Sequence, residues 1–356
     1  MIRAFAAADG GLREFTPEMV AGLTGSALPA ASDGEVPASA VTPSTPPVAL
    51  PHAGHAMAGV WYDLLAPTRD EEKVLESLLG VELPTREDMH EIEISSRLYS
   101  EDGAHFLTAL IPAHTDHDDA VLSPVTFVLT PEALVTIRYA EPRVFSLYQQ
   151  RAVRASGGKL TPATILLGLL ETVVDRIADI LERVGAEVDE ISRAIFGPPG
   201  GSAPQKGPAL KTTIEAIGRK GDFNSNLRVS LVTLDRLASF LGPRMLNAPK
   251  ELRETLKLVT SDVRSLADHS DFIGQKITFL LDATLGLINI EQNGIIKIFS
   301  VASVIFLPPT LIASIYGMNF DVMPELHFRF GYAMALGMMV VSAILPYAYF
   351  KRRGWL

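Results

Sequence analysis

The spacing of hydrophobic positions changes character twice along this chain, and each change predicts a different kind of element. Residues 1–28 read as a short strand, a turn at Asp9-Gly10-Gly11 and a second apolar piece. From Gly59 onward, strands are predicted at Val60-Trp61-Tyr62-Asp63-Leu64-Leu65, Ser96-Arg97-Leu98-Tyr99, His105–Leu110, Val125–Leu129 and Leu134–Arg138. The turn signals Asp102-Gly103 and Pro131-Glu132 favour hairpins between them. Pro67-Thr68-Arg69-Asp70 opens a helix through Leu79, with Gly80 as its stop, and a short helix follows around Arg86 to His90. These elements predict a small α/β domain with a mixed or antiparallel sheet. After residue 160 the period becomes helical. Thr161 or Thr164 caps a helix over Ala163–Ile195, whose apolar residues include Ile165, Leu166, Leu169, Leu170, Val173 and Ile177. Gly197-Pro198-Pro199-Gly200-Gly201 ends it, and a second helix, Ala209–Leu241, runs to Gly242-Pro243, which makes an antiparallel hairpin. A third helix starts at Pro249, where proline suits the first turn, and meets no further proline before Pro308. Residues 249–307 would span about 85–90 Å as a helix, a stalk longer than one domain needs.

The end of the chain is apolar in two runs. Ile298–Ile315 is long enough to cross most of a hydrocarbon core of about 30 Å, and Phe330–Phe350 carries no charge between Arg329 and Lys351. The short loop between them predicts a hairpin through a bilayer. Steps of four and three from Asp282 place Gly286, Asn289, Asn293, Ile296, Ser300, Ser303, Leu307, Thr310, Ser314 and Gly317 on one face of the first of these helices. Such a polar stripe serves either close helix packing or a water-filled conduit lined by several copies of the helix. Its extension into Asn293, Asn289 and Asp282 favours the conduit. One hairpin cannot enclose a pore, so this reading requires a homo-oligomer with Leu307 and Ile296 as apolar constrictions. Pro308-Pro309 predicts a bend, tolerated where neighbouring helices cover the freed carbonyls. Lys297 and Lys351-Arg352-Arg353 place both flanks on the cytoplasmic side, with the loop at 316–329 outside.

Composition narrows the function. A net charge of −10 argues against nucleic acid as a partner, and the absence of cysteine excludes disulfides, thiolate metal sites and cysteine nucleophiles. No nucleotide-binding glycine loop or nucleophile elbow is present, so no enzyme is expected. The first nine residues are broken by charge too early for a signal peptide, which leaves the bulk of the chain expected in the cytoplasm. Residues 29–56, rich in Ala, Pro, Ser and Thr, read as an insertion or linker. His52 and His55 within it, and the stretch His114-Thr115-Asp116-His117-Asp118-Asp119, read as solvated loop residues rather than metal ligands. The expected domains are 1–160 (α/β), 161–290 (helical hairpin and stalk) and 291–356 (transmembrane hairpin).

Tyr316-Gly317-Met318-Asn319-Phe320 followed by Met323-Pro324-Glu325-Leu326, between two apolar helices and ahead of a Lys-Arg-Arg-Gly-Trp-Leu terminus, strongly resembles the CorA magnesium transporter family. Gly286–Asn293 and Pro308-Pro309-Thr310-Leu311 resemble its enterobacterial-type branch. The resemblance is close over the last 80 or so residues, looser over 57–280 and absent over 29–56. It implies an α+β membrane protein: a homopentameric cation channel with a funnel-shaped cytoplasmic part, a long-helix stalk and two membrane helices per subunit in the cytoplasmic (inner) membrane. Gly317, Met318 and Asn319 would form the selectivity filter, Asn293 and Asp282 would meet the ion at the inner pore, and Asp321 and Glu325 would sit at the outer mouth. Mg²⁺ would be the transported ion and a cytoplasmic regulator, with no organic cofactor, and Co²⁺ and Ni²⁺ are further expected cargoes. The sensing carboxylates are not assigned; Asp262, Asp268 and Asp271 on the stalk are available. Transport of another divalent cation such as Zn²⁺, or a membrane-anchored sensor or scaffold, are the alternatives.

Overall fold

The computed structural model describes residues 1–8, 11–14, 60–115, 121–154, 160–197, 207–318, 323 and 329–355. Seven strands, β1 (Ile2–Ala8), β2 (Gly11–Glu14), β3 (Trp61–Leu65), β4 (Leu98–Glu101), β5 (Ala104–Ala113), β6 (Val121–Leu129) and β7 (Leu134–Arg138), form one sheet in the order β2-β1-β3-β7-β6-β5-β4. The sheet is mixed. Every neighbouring pair is antiparallel except β3 with β7, which run parallel with Asp63 opposite Thr136. All five residues of β7 are buried, as a central strand covered on both faces requires.

Local chemistry explains the ends of the elements. Helix α1 (Arg69–Leu79) has Thr68 as N-cap in a capping box with Glu71 and stops at Gly80, whose φ of 69° is a left-handed conformation that glycine adopts without a Cβ clash. Helix α2 (Arg86–His90) repeats the device with Thr85 and Asp88. Ser96 and Arg97, expected in a strand, instead close the short helix α3 (Ile94–Arg97), and β4 begins at Leu98. One face of the sheet packs Tyr62, Leu64, Phe106, Val128, Val135 and Ile137 against Leu75, Leu83 and Met89 from this helical segment. On the other face Trp61 stacks on Phe5 at 4.7 Å and on Phe145 at 6.5 Å. Phe145 belongs to α4 (Arg143–Arg154), a helix the sequence reading did not anticipate. The stretch 143–154 carries Val144, Phe145, Tyr148 and Ala152 at helical spacing, a signal that was legible.

Three long helices follow. In α5 (Pro162–Phe196), Thr161 is the cap: its Oγ1 accepts from the Thr164 amide at 3.2 Å, while Thr164 Oγ1 accepts from the Thr161 amide at 2.7 Å. Helix α6 (Gly207–Arg244) passes through Gly242 and Pro243 and ends a few residues later than expected. A proline in the last turn keeps helical φ and removes only one hydrogen bond, so it does not force an earlier stop. Helix α7 (Lys250–Tyr316) is one helix of 67 residues with Pro308 and Pro309 inside it, and α8 (Gly331–Arg352) has 22.

The chain divides into two compact units. The first comprises residues 1–191 and 217–277, and the second residues 192–216 and 278–356. Within the first, buried Asn224 and Ser270 join α6 to α7: Asn224 Nδ2 donates to the Ser270 carbonyl at 3.0 Å and Ser270 Oγ donates to Asn224 Oδ1 at 3.1 Å. In the second, Phe196 and Phe279 stack at 5.9 Å, and the apolar parts of α7 and α8 are almost wholly exposed. Each is long and apolar enough to cross a membrane, and neither is covered as the core helix of a water-soluble protein would be.

Candidate functional site

The predicted stripe lies on α7 within the second unit, and its side chains are uncovered. Asp282, Asn289, Asn293, Ile296, Ser300, Ser303, Leu307, Thr310 and Ser314 are all exposed, and Gly286 is half-buried. The covered face of the same helix is different: Val301 is buried, and Ala302, Ile305, Pro308, Pro309, Ile312 and Tyr316 are partly so. On α8 the covered positions Gly331, Ala335, Met339, Ser342, Ala343, Pro346 and Phe350 also recur at helical spacing. The polar row is therefore not consumed by packing inside one chain.

Two of the four hydroxyls on the row, those of Ser303 and Thr310, are oriented by their own helix. Ser303 Oγ donates to the Phe299 carbonyl at 2.8 Å. Thr310 Oγ1 lies 2.6 Å from the Phe306 carbonyl and 2.9 Å from that of Leu307, so its proton also points back into the helix. What these two side chains offer outward is oxygen lone pairs. Pro308 and Pro309, lacking N–H groups, leave the carbonyls of Val304 and Ile305 without their usual intrahelical donors. A repeat of 3.5 on a helix of 3.6 residues per turn drifts by about 20° per heptad, so from Asp282 to Gly317 the row winds by about 100°. Several copies can keep such a row on one axis only by supercoiling left-handedly or bending.

The outer end of α7 tightens before it stops. The Gly317 amide donates to the Ala313 carbonyl at 2.9 Å and that of Met318 to the Ile315 carbonyl at 3.3 Å. A Cβ at Gly317 would sit 3.1 Å from the Ala313 oxygen, so a side chain there disturbs this turn. Gly317 and Met318 are exposed. Asn319, Asp321 and Glu325 lie outside the described residues. At the opposite end, Lys297 Nζ is 5.9 Å from the centroid of Trp355, which stacks on Phe350 at 5.3 Å. Beyond its place in the terminal motif, a tryptophan beside Lys351, Arg352 and Arg353 just past an apolar helix is the signal of an interfacial anchor.

Among the described residues no cluster of three His, Asp or Glu side chains is arranged for a metal ion. His52, His55 and residues 116–119 lie outside those described, and His114 is exposed with φ of 56°. On the stalk, Asp262 and Asp268 are exposed, while Asp271 accepts from Arg228 Nε at 2.7 Å. Of the carboxylates on α5, Asp175 pairs with Arg151 at 3.0 Å, and Asp189 and Glu187 pair with Lys276 and Lys220.

Known proteins share both the sequence and the architecture. The sequence profile of the CorA-like Mg²⁺ transporter protein family matches residues 57–352, starting just after the Pro/Ala-rich stretch. The magnesium transport protein CorA of Pasteurella multocida (strain Pm70) is 41% identical over 300 residues, covering 84% of this chain and 92% of its own. That of Haemophilus influenzae (strain 86-028NP) is 38% identical over 298 residues, covering 83% and 92%. The complete structure of the CorA magnesium transporter from Methanocaldococcus jannaschii superposes with a TM-score of 0.70 over 86% of this chain and 94% of that one, at 21% identity. The full-length CmaX protein gives 0.61 over 99% and 97%, at 12% identity. The last two establish a common fold: a soluble α/β part, a long helix and two apolar C-terminal helices. With the profile covering most of its length and relatives near 40% identity, the chain belongs to the CorA-like Mg²⁺ transporter family.

Proposed function

We propose that this chain carries Mg²⁺ across the cytoplasmic (inner) membrane as one subunit of a homopentamer, with its N- and C-termini in the cytoplasm and the ion moving along the α7 row. The observation that carries this reading is the exposed row whose Ser303 and Thr310 protons are turned into the helix. Mg²⁺ gives up its water reluctantly. Its bound waters turn their oxygens toward the ion and their protons outward, so a wall suited to the hydrated ion is one of acceptors. Oxygen lone pairs from Ser303 and Thr310, and amide oxygens from Asn289 and Asn293, supply that wall without stripping the hydration shell. Gly317, Met318 and Asn319 would select the hydrated ion at the outer end, and Asp321 and Glu325 would concentrate cations there, an effect that salt weakens. At the inner end Asp282 adds the charge of a carboxylate on the same row. Ile296 and Leu307, exposed among polar neighbours, serve as constrictions that close by dewetting. Cytoplasmic Mg²⁺ acts as the feedback ligand, and Co²⁺ and Ni²⁺ share the path.

Uptake of Mg²⁺ into liposomes holding the purified protein tests this directly. Wild type is expected to give a saturable flux, Asn319→Ala to lose most of it, and Ser303→Leu to reduce it by narrowing and drying the path. Equal flux in all three would remove both the filter and the row from the mechanism, while no flux in wild type would favour an anchor. Raising Mg²⁺ on the side of the soluble domain is expected to slow the initial rate of the wild type, and an unchanged rate would remove the feedback.

A further inference from the structure

A chain of net charge −10 carries a positively charged groove where α6 meets the first turns of α7, well inside the first unit. The groove has a volume of about 450 Å³, within the range of roughly 300–1,000 Å³ usual for small-molecule sites. Ala238, Gly242 and Leu256 contribute its apolar surface, and Arg253, Lys257 and Arg264 line it from α7. Arg264 Nε donates to Asp235 Oδ1 at 2.8 Å, whereas Arg253 and Lys257 have no partner among the described residues. The neighbouring Glu254 is directed to Lys250 at 3.5 Å. Three cations thus face one carboxylate. Ser239 and Ser261, both exposed, add hydroxyl donors.

We propose that this groove binds a nucleoside polyphosphate. The three cations stand at i, i+4 and i+11 of one helix face, about 16 Å from first to last at about 1.5 Å per residue, a span that suits a chain of phosphates better than a single one. Arginine forks and a lysine are the side chains that recognise phosphate oxygens. Ala238 and Leu256 are buried and form only the floor of the groove; together with the aliphatic stems of Arg253 and Lys257 they offer an apolar side for a planar base. Recognition by side chains on two helices needs no glycine-rich loop, so the absence of that loop from the sequence does not argue against it. A ligand of this class binds Mg²⁺ through its phosphates, which would link the site to the ion. Binding itself is independent of whether the chain transports.

Titration calorimetry on the full-length protein in detergent, with EDTA present, tests the site using ATP, pyrophosphate and adenosine. ATP is expected to bind saturably and more weakly as salt rises, pyrophosphate to bind more weakly than ATP, and adenosine not to bind measurably. Replacing both unpaired cations, Arg253→Gln with Lys257→Gln, is expected to weaken ATP by at least about tenfold, and Arg253→Gln alone by less, while Lys73→Gln, at an exposed position on α1, leaves it unchanged. Absence of saturable ATP binding, or equal affinity in the double variant, overturns the proposal. Equal affinity for ATP and pyrophosphate overturns the nucleoside assignment. A change in oligomeric mass of the nucleotide-free double variant, read by light scattering, overturns it in favour of a second copy of this chain in the groove.

Discussion

Asp63 and Arg138 meet diagonally across the parallel β3–β7 pair, where Asp63 is opposite Thr136 and Arg138 opposite Leu65, and both are buried. Asp63 Oδ1 accepts from Thr136 Oγ1 at 2.8 Å and Arg138 Nε at 3.0 Å, and Oδ2 accepts from Arg138 Nη2 at 2.8 Å. Trp61 Nε1 completes the set by donating to Thr136 Oγ1 at 3.1 Å, and the guanidinium lies 4.6 Å from the Phe145 ring. A buried pair satisfied this fully costs little when intact but leaves a bare charge when one member is lost. Arg138→Leu is therefore expected to destabilise the protein by about 3–5 kcal/mol, and Asp63→Leu combined with Arg138→Leu by clearly less. Denaturant unfolding of the three variants checks this, and a double variant as damaged as the single would refute it. The sequence places an Asp and an Arg in two strands. That they meet depends on the parallel register, which alternation in one strand does not encode.

At the scale of elements, α4 and α5 are joined by a close approach. A Cβ on Gly168 would lie 2.5 Å from Tyr148 Cε2, and the Tyr148 ring cannot withdraw because it also packs edge-on against Trp61 at 5.8 Å. Burial holds the Tyr148 hydroxyl well above the usual tyrosine range. Gly168→Ala is expected to cost about 1–3 kcal/mol through overpacking. Tyr148→Leu should reduce that penalty, so thermal unfolding of the double-mutant cycle should be non-additive. Additive losses would mean that the ring moves aside freely. Helix starts at Thr68, Thr85 and Thr161 and the stop at Gly80 were readable, because caps are local hydrogen-bond chemistry. The true bounds of α3 and β4 were not drawn from the sequence, because short elements owe their state to what they pack on, whereas the helical spacing of Val144, Phe145, Tyr148 and Ala152 put α4 within reach.

For the whole molecule, the exposed row on α7 predicts assembly around it. The chain has no cysteine, so a single introduced thiol is an unambiguous probe. Ser303→Cys is expected to give disulfide-linked dimers under mild oxidation in membranes. Val340→Cys, on the exposed face of α8, is expected to stay monomeric on non-reducing gels. The reverse pattern would turn the row toward lipid and remove the basis for a shared conduit. The drift of about 100° along the row implies that copies crossing at a left-handed angle keep it in register from Asp282 to Gly317.

The sequence alone determined the two helices long and apolar enough to span a membrane, the polar row and the family, because hydrophobic runs, heptad spacing and the Gly317-Met318-Asn319 motif are contained in contiguous residues. It also determined where most helices begin and end. Tertiary structure decided what alternation and spacing leave open. The β3–β7 pairing is parallel, Asp63 is neutralised by Arg138, and Tyr148 lies over Gly168. The covered side of α7 is that of Val301 and Ile305, which leaves Ser303 and Thr310 uncovered with their protons tied to the helix. The physical reason is the same in each case: a contact between distant residues depends on two surfaces at once, and the residues of one element specify only their own.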